Sequence, residues 1–516
     1  MSRRRVLYLV SISLFIGLAS MLLRHLVSSP NSKLKLFSNM STQNAAKERG
    51  VIVVGSGLAG LTAASTLISH GIRVQMLERA AKPGGNSMKA SSGINGAPTK
   101  YQPGPPFSDT FFHADTVKSA GAVYQTSFKK ERESLIGTLT NRSAAAIEWL
   151  TEEKGVNLSV VAQLGGHSFP RTHRGAGKLP PGASLVTTLL KSLKESPLFE
   201  LDTECTVTKV LKPSTAVTGV EYLCGEKKEP KRAEGPVIFA TGGFAGDAHG
   251  MLAKYRPDLA GFPSTNDPRP GSQDLLTAIG AQLLDMEQVQ VHPTSFIDPA
   301  NPSSPVKFLA AELLRGEGGV LLFEGKRFVN EMETRKVVTE AITNLPISKL
   351  ENQDEKVKQW EILLILDEGV YKNASSHIDF YLWKKLMRKA TIKDLGPTAL
   401  ASLKDYASGA AGHSTDLFKR DSFGHWELHD VTEDSVVYVG TVTPAVHFTM
   451  GGALISAKGE VIGEDGKGIE GIWAAGEVSG GVHGENRLGG SSLLECVVFG
   501  RVVGDEAARY LQAAKE

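Results

Sequence analysis

Hydrophobic and polar positions along this chain change period several times, and each change marks an element. VIVV, residues 51–54, is an unbroken apolar run that predicts a short buried strand. An alanine-rich stretch with helical spacing follows, then RVQML (73–77), a second strand. VIFATGGFAGD (237–247) and GIWAAGEVSGG (471–481) each read as a further strand running into glycines. Between 200 and 235 the runs TECTVTKVLKP and TAVTGVEYLCG alternate, which predicts a small β excursion. From 291 to 440 the spacing is mainly helical, in VVTEAITN (337–344), YLWKKLMRKA (381–390) and TALASLKDYAS (398–408). SLLECVVFGRVVGDEAARYL (492–511) predicts a long helix close to the C-terminus. The charged runs EPKRAE (229–234) and NQDEKVKQ (352–359) read as solvated surface.

The N-terminus follows another rule. Residues 6–23, VLYLVSISLFIGLASMLL, are uncharged, with Arg3, Arg4 and Arg5 before them, Arg24 after them and no acid before Glu48. Such a run sits at the lower limit for spanning a bilayer. It fits a signal-anchor, a cleaved signal peptide or part of a mitochondrial presequence, so membrane anchoring by 6–23 and a mitochondrial or endoplasmic-reticulum address both stay open. Sequons at Asn39, Asn141, Asn157 and Asn373 do not decide between them. Residues 1–47 are set aside as a targeting or anchor segment.

Composition narrows the chemistry. The 516 residues are 41% hydrophobic and 22% charged, ordinary for a globular protein, and the net charge of +2 gives no reason to expect a nucleic-acid partner. Glycine is in excess, at 54 residues, which usually means tight turns or close backbone approach to a ligand. Cys205, Cys224 and Cys496 form no CxxC, so no iron–sulfur ligand set, Cys-ligated haem motif, disulfide framework or metal site is expected.

The glycines after the first strand are Gly55, Gly57 and Gly60, a G-x-G-x-x-G, and Glu78 ends the second strand 23 positions after Gly55. Strand, glycines, helix, strand and acid in register make the Rossmann arrangement. Backbone approaches a pyrophosphate, the helix N-terminus stabilises its charge and the acid binds a ribose hydroxyl. The continuation RAAKPGGNSMKASSGINGA, with Gly84, Gly85, Asn86, Ser91 and Gly93, resembles the segment that wraps FAD in the large flavoprotein family. That likeness places Thr206–Val207 at the adenine side, Thr241 and Gly242 on the second glycine strand, and Glu477 at the ribityl chain. Ser492 and Leu493 open the last helix toward the flavin O2/N1 edge.

VQVHPTSF (289–296), AAELLRGEGG (310–319), GKRFVNEMETR (325–335), TPAVHFTMGG (443–452) and HGENRLGGSSLLECVVFGR (483–501) then follow in order. With the segments above they resemble the fumarate reductase/succinate dehydrogenase flavoprotein family over about residues 50–510, most closely its soluble, single-chain, yeast-type branch. Physically, a flat dianion needs cations or donors around two carboxylates, and His292, His447, Arg335 and Arg487 supply them, with Thr449 a further substrate-binding candidate. The resemblance implies FAD-dependent reduction of fumarate to succinate. Reduced FAD gives hydride, Arg335 gives the proton, and Glu312 and Arg315 reload it. It also implies a diffusible donor, free reduced flavin, and a monomer. It reads 105–121 as a helical lead-in.

The expected fold is α/β: a Rossmann-type FAD-binding domain, 48–290 and 441–516, interrupted by an α+β capping domain, 291–440. Departures from the family pattern are Ala311 for a threonine, Lys336 for an aspartate and GSQD (271–274) for a TGDG-like turn. Asn86–Ser87 stands where membrane-complex relatives attach FAD to a histidine, so FAD is expected to be non-covalent and a respiratory-complex subunit disfavoured. A steroid dehydrogenase would not need two carboxylate clamps. An aspartate oxidase-like activity on another dicarboxylate or amino acid keeps much of the same cationic set and stays open.

Overall fold

The computed structural model describes residues 50–104, 109–126, 128–177, 179–225, 228–347 and 357–514. The segment 1–47, part of the lead-in at 105–108 and most of the run 352–359 lie outside the described residues.

The first apolar runs build a six-stranded sheet, in the order Glu460–Ile462, Gly468–Ala474, Val237–Phe239, Val51–Val54, Val74–Leu77, Phe199–Asp202. All neighbours are parallel except the outer hairpin at 460–474. Strands covered on both faces need no alternation, which is why VIVV is wholly buried. Helices Leu58–Ser69 and Ser491–Ala513 cross closely because their contact is made of small residues. A Cβ at Gly500 would lie 2.8 Å from both the Ala59 carbonyl and Thr62 Cβ. The 200–235 excursion is a three-stranded antiparallel sheet, Cys205–Leu211, Gly219–Cys224 and Glu229–Glu234. EPKRAE is its outer strand and is mostly exposed.

Three expectations are corrected. Cys205 and Cys224 sit opposite each other on adjacent strands and are joined by a disulfide, although their spacing resembled no framework. The stretch 291–440 is less helical than its spacing suggested, because a seven-stranded antiparallel sheet forms its centre. There Val436–Thr449 pairs with Val289–Phe296, Ile362–Leu366 and Arg388–Thr391. YLWKKLMRKA is not one helix. The helix Glu368–Trp383 ends inside it, Lys385 takes a left-handed φ of 59°, and Arg388–Thr391 joins the sheet edge. Its helical spacing comes from Tyr381, Leu382 and Leu386, which pack in the same core from either side of that turn.

Each large sheet has its own apolar core. Strands 289–296 and 436–449 carry the chain out of the first part and back. Both ends of this excursion therefore bring their side chains to the same place, beside the glycine-rich loop 483–490.

Candidate functional site: a flavin cavity with a buried cationic end

One cavity of about 540 Å³ runs along the carboxyl ends of the parallel strands and on to the seven-stranded sheet. Of the residues expected to meet a cofactor, Gly55, Gly57, Glu78, Gly85, Asn86, Ser91, Gly93, Val207, Thr241, Gly242, Glu477, Ser492 and Leu493 line it. Gly60 and Gly84 do not. Gly60 acts in packing: a Cβ there would lie 2.0 Å from the Gly55 carbonyl. Gly84 is enclosed by Met88 and Val186.

The arrangement fits FAD. Gly55 has φ +101°, and a Cβ would come within 2.4 Å of the Ala240 carbonyl, so only glycine makes this turn without strain. The following helix begins at Gly57, where a Cβ would meet only Ser87 Oγ, at 3.7 Å, and that hydroxyl accepts from the Leu58 amide at 3.1 Å. An open approach to a helix N-terminus favours an anion. Glu78 is positioned by Ser56, whose amide donates to its carboxylate at 3.0 Å and whose hydroxyl donates at 2.5 Å. At the other end the helix 491–513 starts after Gly490, φ +81°, with no side-chain cap. Asn95 fixes that start by donating to the Gly489 carbonyl (2.8 Å) and Ser491 Oγ (3.0 Å). The GSQD turn opens the helix Gln273–Thr277, with Ser272 Oγ 2.5 Å from Thr241 Oγ1 at the cavity wall.

The cationic end is built from five segments. Arg335 opens the helix Arg335–Thr343, whose N-cap is Thr334. Its Nε donates to Glu312 at 3.0 Å, and Nη2 contacts the same oxygen. Arg315 donates to the other Glu312 oxygen at 3.4 Å and to the Glu331 carbonyl at 2.6 Å. Burial pushes the Glu312 carboxyl up, but the two guanidiniums overcome this and hold it down at about 2. Burial also lowers Arg315. Arg487 is drawn down to about 9 by burial and then by Arg335. Its guanidinium lies 4.3 Å from the Phe448 ring centre. His292 and His447 meet edge-on at 5.5 Å, and burial plus the nearby arginines hold both well below the usual histidine range. Arg335, Arg487 and His447 line the cavity, whereas His292, Glu312 and Arg315 stand behind it.

Thr449 also stands behind the wall. Its amide and hydroxyl donate to Glu477 at 2.9 and 3.2 Å. Burial raises Glu477 to about 7.

Sequence reasoning passed over Gln290. Its Oε1 accepts from Arg335 at 2.7 Å and from Arg487 at 3.0 Å, and its Nε2 donates to the Arg487 carbonyl at 3.0 Å. A period-two reading of the strand would have put it on the face of His292. Also unforeseen was the buried group behind Arg315, where Arg327 and Arg420 converge on Glu331 and Arg327 reaches Asp416. These partners lie up to 89 residues apart, so spacing gave no signal.

Among the described residues no group of His, Cys, Asp and Glu could hold a metal ion. None of their helices is long and apolar enough to cross a membrane.

Residues 50–493 match the FAD binding domain family. The chain is 43% identical over 481 residues to Fumarate reductase 1 of Saccharomyces cerevisiae, covering 89% of this chain and 98% of that protein. It is 37% identical to Fumarate reductase of Schizosaccharomyces pombe, covering 91% of each. Among solved structures, the open conformation of a flavocytochrome c3 fumarate reductase superposes with a TM-score of 0.70 at 28% identity, over 92% of this chain and 81% of that one.

Proposed function

The chain belongs to the fumarate reductase/succinate dehydrogenase flavoprotein family, as an FAD-dependent oxidoreductase acting on a CH–CH group, and from that premise we propose that it reduces fumarate to succinate. One observation carries the substrate choice. Arg335 and Arg487, both buried and both facing the cavity, share only a neutral amide oxygen, that of Gln290. Among the described residues, Arg487 Nε and His292 Nε2 have no hydrogen-bond partner. Buried cations and donors left in this state favour a ligand that brings negative charge.

In this reading Arg487 and His447 clamp one carboxylate, and His292, behind them, holds their geometry. Bound FAD supplies the hydride. Arg335 delivers the proton to the neighbouring carbon, since its guanidinium lies between the cavity and Glu312. Glu312 returns a proton to Arg335 and takes one from Arg315. Every member is buried, so each transfer runs in a low dielectric, where charge stabilisation counts for more. Glycines 55 and 57 receive the pyrophosphate, Glu78 a ribose and Val207 the adenine side. Asn86, Ser91 and Gly93 flank the flavin, which is held without a covalent bond. His447 is the one histidine among the described residues lining the cavity, and its Nδ1 is engaged by Thr265 Oγ1 at 2.9 Å. Residues 291–440 act as the capping part, and electrons come from a diffusible donor.

The test is anaerobic turnover of fumarate with reduced viologen, for the FAD-loaded protein and its Arg335→Ala variant. Succinate formation by the parent, lost by orders of magnitude in a variant that keeps FAD, is the expected result. A parent that binds FAD but leaves fumarate untouched ends the proposal.

A further inference from the structure

The small antiparallel sheet at 205–234 meets the parallel sheet beside the cofactor cavity. Glu204 donates its amide to the Ala80 carbonyl at 3.2 Å, and Cys205 donates its amide to the Glu78 carbonyl at 2.8 Å. Cys205, Thr206 and Val207 line the cavity in succession, as does Glu78. The backbone of Glu204 and Cys205 therefore sets where this wall stands. Glu204 holds a left-handed φ of 56°, a conformation that a residue other than glycine rarely keeps unless its neighbours impose it. Its carbonyl accepts from the Gly225 amide at 3.2 Å, so one of the imposing contacts comes from the opposite strand's end.

The Cys205–Cys224 bridge ties the two strands at this same end. Backbone pairing continues beyond it, from Thr206 opposite Leu223 to Leu211 opposite Gly219, and a third strand completes the sheet. What the bridge adds is a hold on the terminal pair, and the end of a ladder frays when nothing holds it. The two sulfurs are unequally placed. Cys205 is 4% exposed, whereas Cys224 is partly exposed and is followed by Gly225, where a Cβ would meet nothing within 4 Å. An attacking thiolate thus has its approach on the Cys224 side. The third cysteine, Cys496, is free, but burial pushes its thiol up and removes it as a competing nucleophile.

We propose that Cys205–Cys224 is a thiol–disulfide exchange site, with a dithiol as its substrate class, and that its state sets how tightly the chain keeps FAD. One thiolate of the dithiol attacks Cys224 Sγ, the bridge breaks, and Cys205 leaves as a thiolate and takes a proton. The second thiol of the dithiol then displaces Cys224. The bridge gains two electrons and two protons and becomes two thiols, and the dithiol loses the same and becomes a disulfide. With the terminal pair released, Glu204 leaves its imposed conformation and the wall at Thr206 and Val207 loses its fixed place. The inference rests on FAD as the cofactor and is independent of which substrate the flavin reduces.

The experiment equilibrates the full chain with dithiothreitol and its oxidised form at a series of ratios, with saturating FAD and without it. Bound FAD is read by fluorescence after rapid filtration, and the bridge by alkylation mapped to Cys205 and Cys224. Once both cysteines are alkylated, the Kd for FAD should rise about tenfold while far-ultraviolet circular dichroism stays unchanged. Binding and reduction are linked, so FAD must oppose opening by the same factor. The midpoint ratio should therefore differ about tenfold with and without FAD, about 30 mV for a two-electron couple. The Cys205→Ser, Cys224→Ser double variant should bind FAD as weakly as the reduced parent and ignore dithiothreitol. If that variant does not fold, the parent's linked midpoint decides alone. A bridge that opens in the folded chain while FAD affinity stays within twofold overturns the proposal. So does a bridge that resists reduction until the chain unfolds, which makes it a structural staple. A dithiothreitol response kept by the double variant overturns it as well, because the thiol then acts elsewhere.

Discussion

Replacing Glu312 by glutamine tests the relay at the point where structure and chemistry separate most cleanly. The side chain is buried between Arg335 and Arg315, and the glutamine is nearly its size. Its carboxyl is held at about 2 rather than 4.5. At about 1.36 kcal/mol per pKa unit, this coupling is worth on the order of 3 kcal/mol. The folded pKa is depressed, so this stability is present above the unfolded value and is lost as pH falls from about 4.5 through about 2. At neutral pH Glu312→Gln should therefore lower stability by about 3 kcal/mol, and the parent's excess over the variant should shrink in acid. Removing one partner of a buried pair typically costs about this much. Activity should fall further than stability explains. An amide cannot pass a proton at neutral pH, so kcat for fumarate should drop by at least roughly a hundredfold, the usual size of a lost acid–base step. KM should move little, because Arg487 and His447 remain. Chemical denaturation gives the first quantity, and anaerobic kinetics in water and in heavy water give the second. A stable variant with kcat within threefold of the parent would refute the relay, leaving Glu312 as a structural counter-ion.

Gly55→Ala should remove FAD while leaving the rest folded. The residue's φ of +101° costs an alanine on the order of 1–3 kcal/mol, and the new methyl would lie 2.4 Å from the Ala240 carbonyl, so flavin absorbance after gel filtration should be largely lost. Opening the Cys205–Cys224 bridge by a double serine substitution should cost about 3 kcal/mol, the entropy of a loop near this length, read from thermal or denaturant unfolding. Because Cys205 and Val207 both line the cavity, FAD affinity should weaken along with stability.

The parallel sheet was legible because local signals coincide there. An apolar run, glycines at fixed offsets and an acid at the next strand end all follow from one short βαβ unit. The cationic end was legible in its members but not in its wiring. Arg335, Glu312 and Arg315 come from nearby segments, whereas Gln290 bridges Arg335 to Arg487 across 197 positions of sequence to the loop. The seven-stranded sheet was read as too helical because most of its strands are short. A four-residue strand such as Arg388–Thr391 carries too little period to compete with the helical spacing of the residues before it. The disulfide escaped for a similar reason: only the pairing register puts Cys205 opposite Cys224.

The same wiring predicts how the site responds to alkali. Arg487 titrates at about 9 because burial and then Arg335 disfavour its charge. Its cation is present below that pH and lost above it. A dianion in the cavity favours the charged form, so binding and protonation are linked: succinate affinity should be flat from neutral pH to about 9 and then fall about tenfold per pH unit. Gln290 makes the argument sharper. In the free site its carbonyl oxygen serves both arginines at once, so an arriving carboxylate replaces a neutral acceptor with a charged one and gains most at Arg487, where no carboxylate is already bound. Calorimetric titration of the FAD-loaded protein with succinate across this range gives the answer, with Arg487→Met as the control that should bind weakly and show no break. A parent whose affinity stays level through pH 10 would mean that Arg487 keeps its charge independently of the ligand. The clamp would then have to rest on Arg335 and His447 instead.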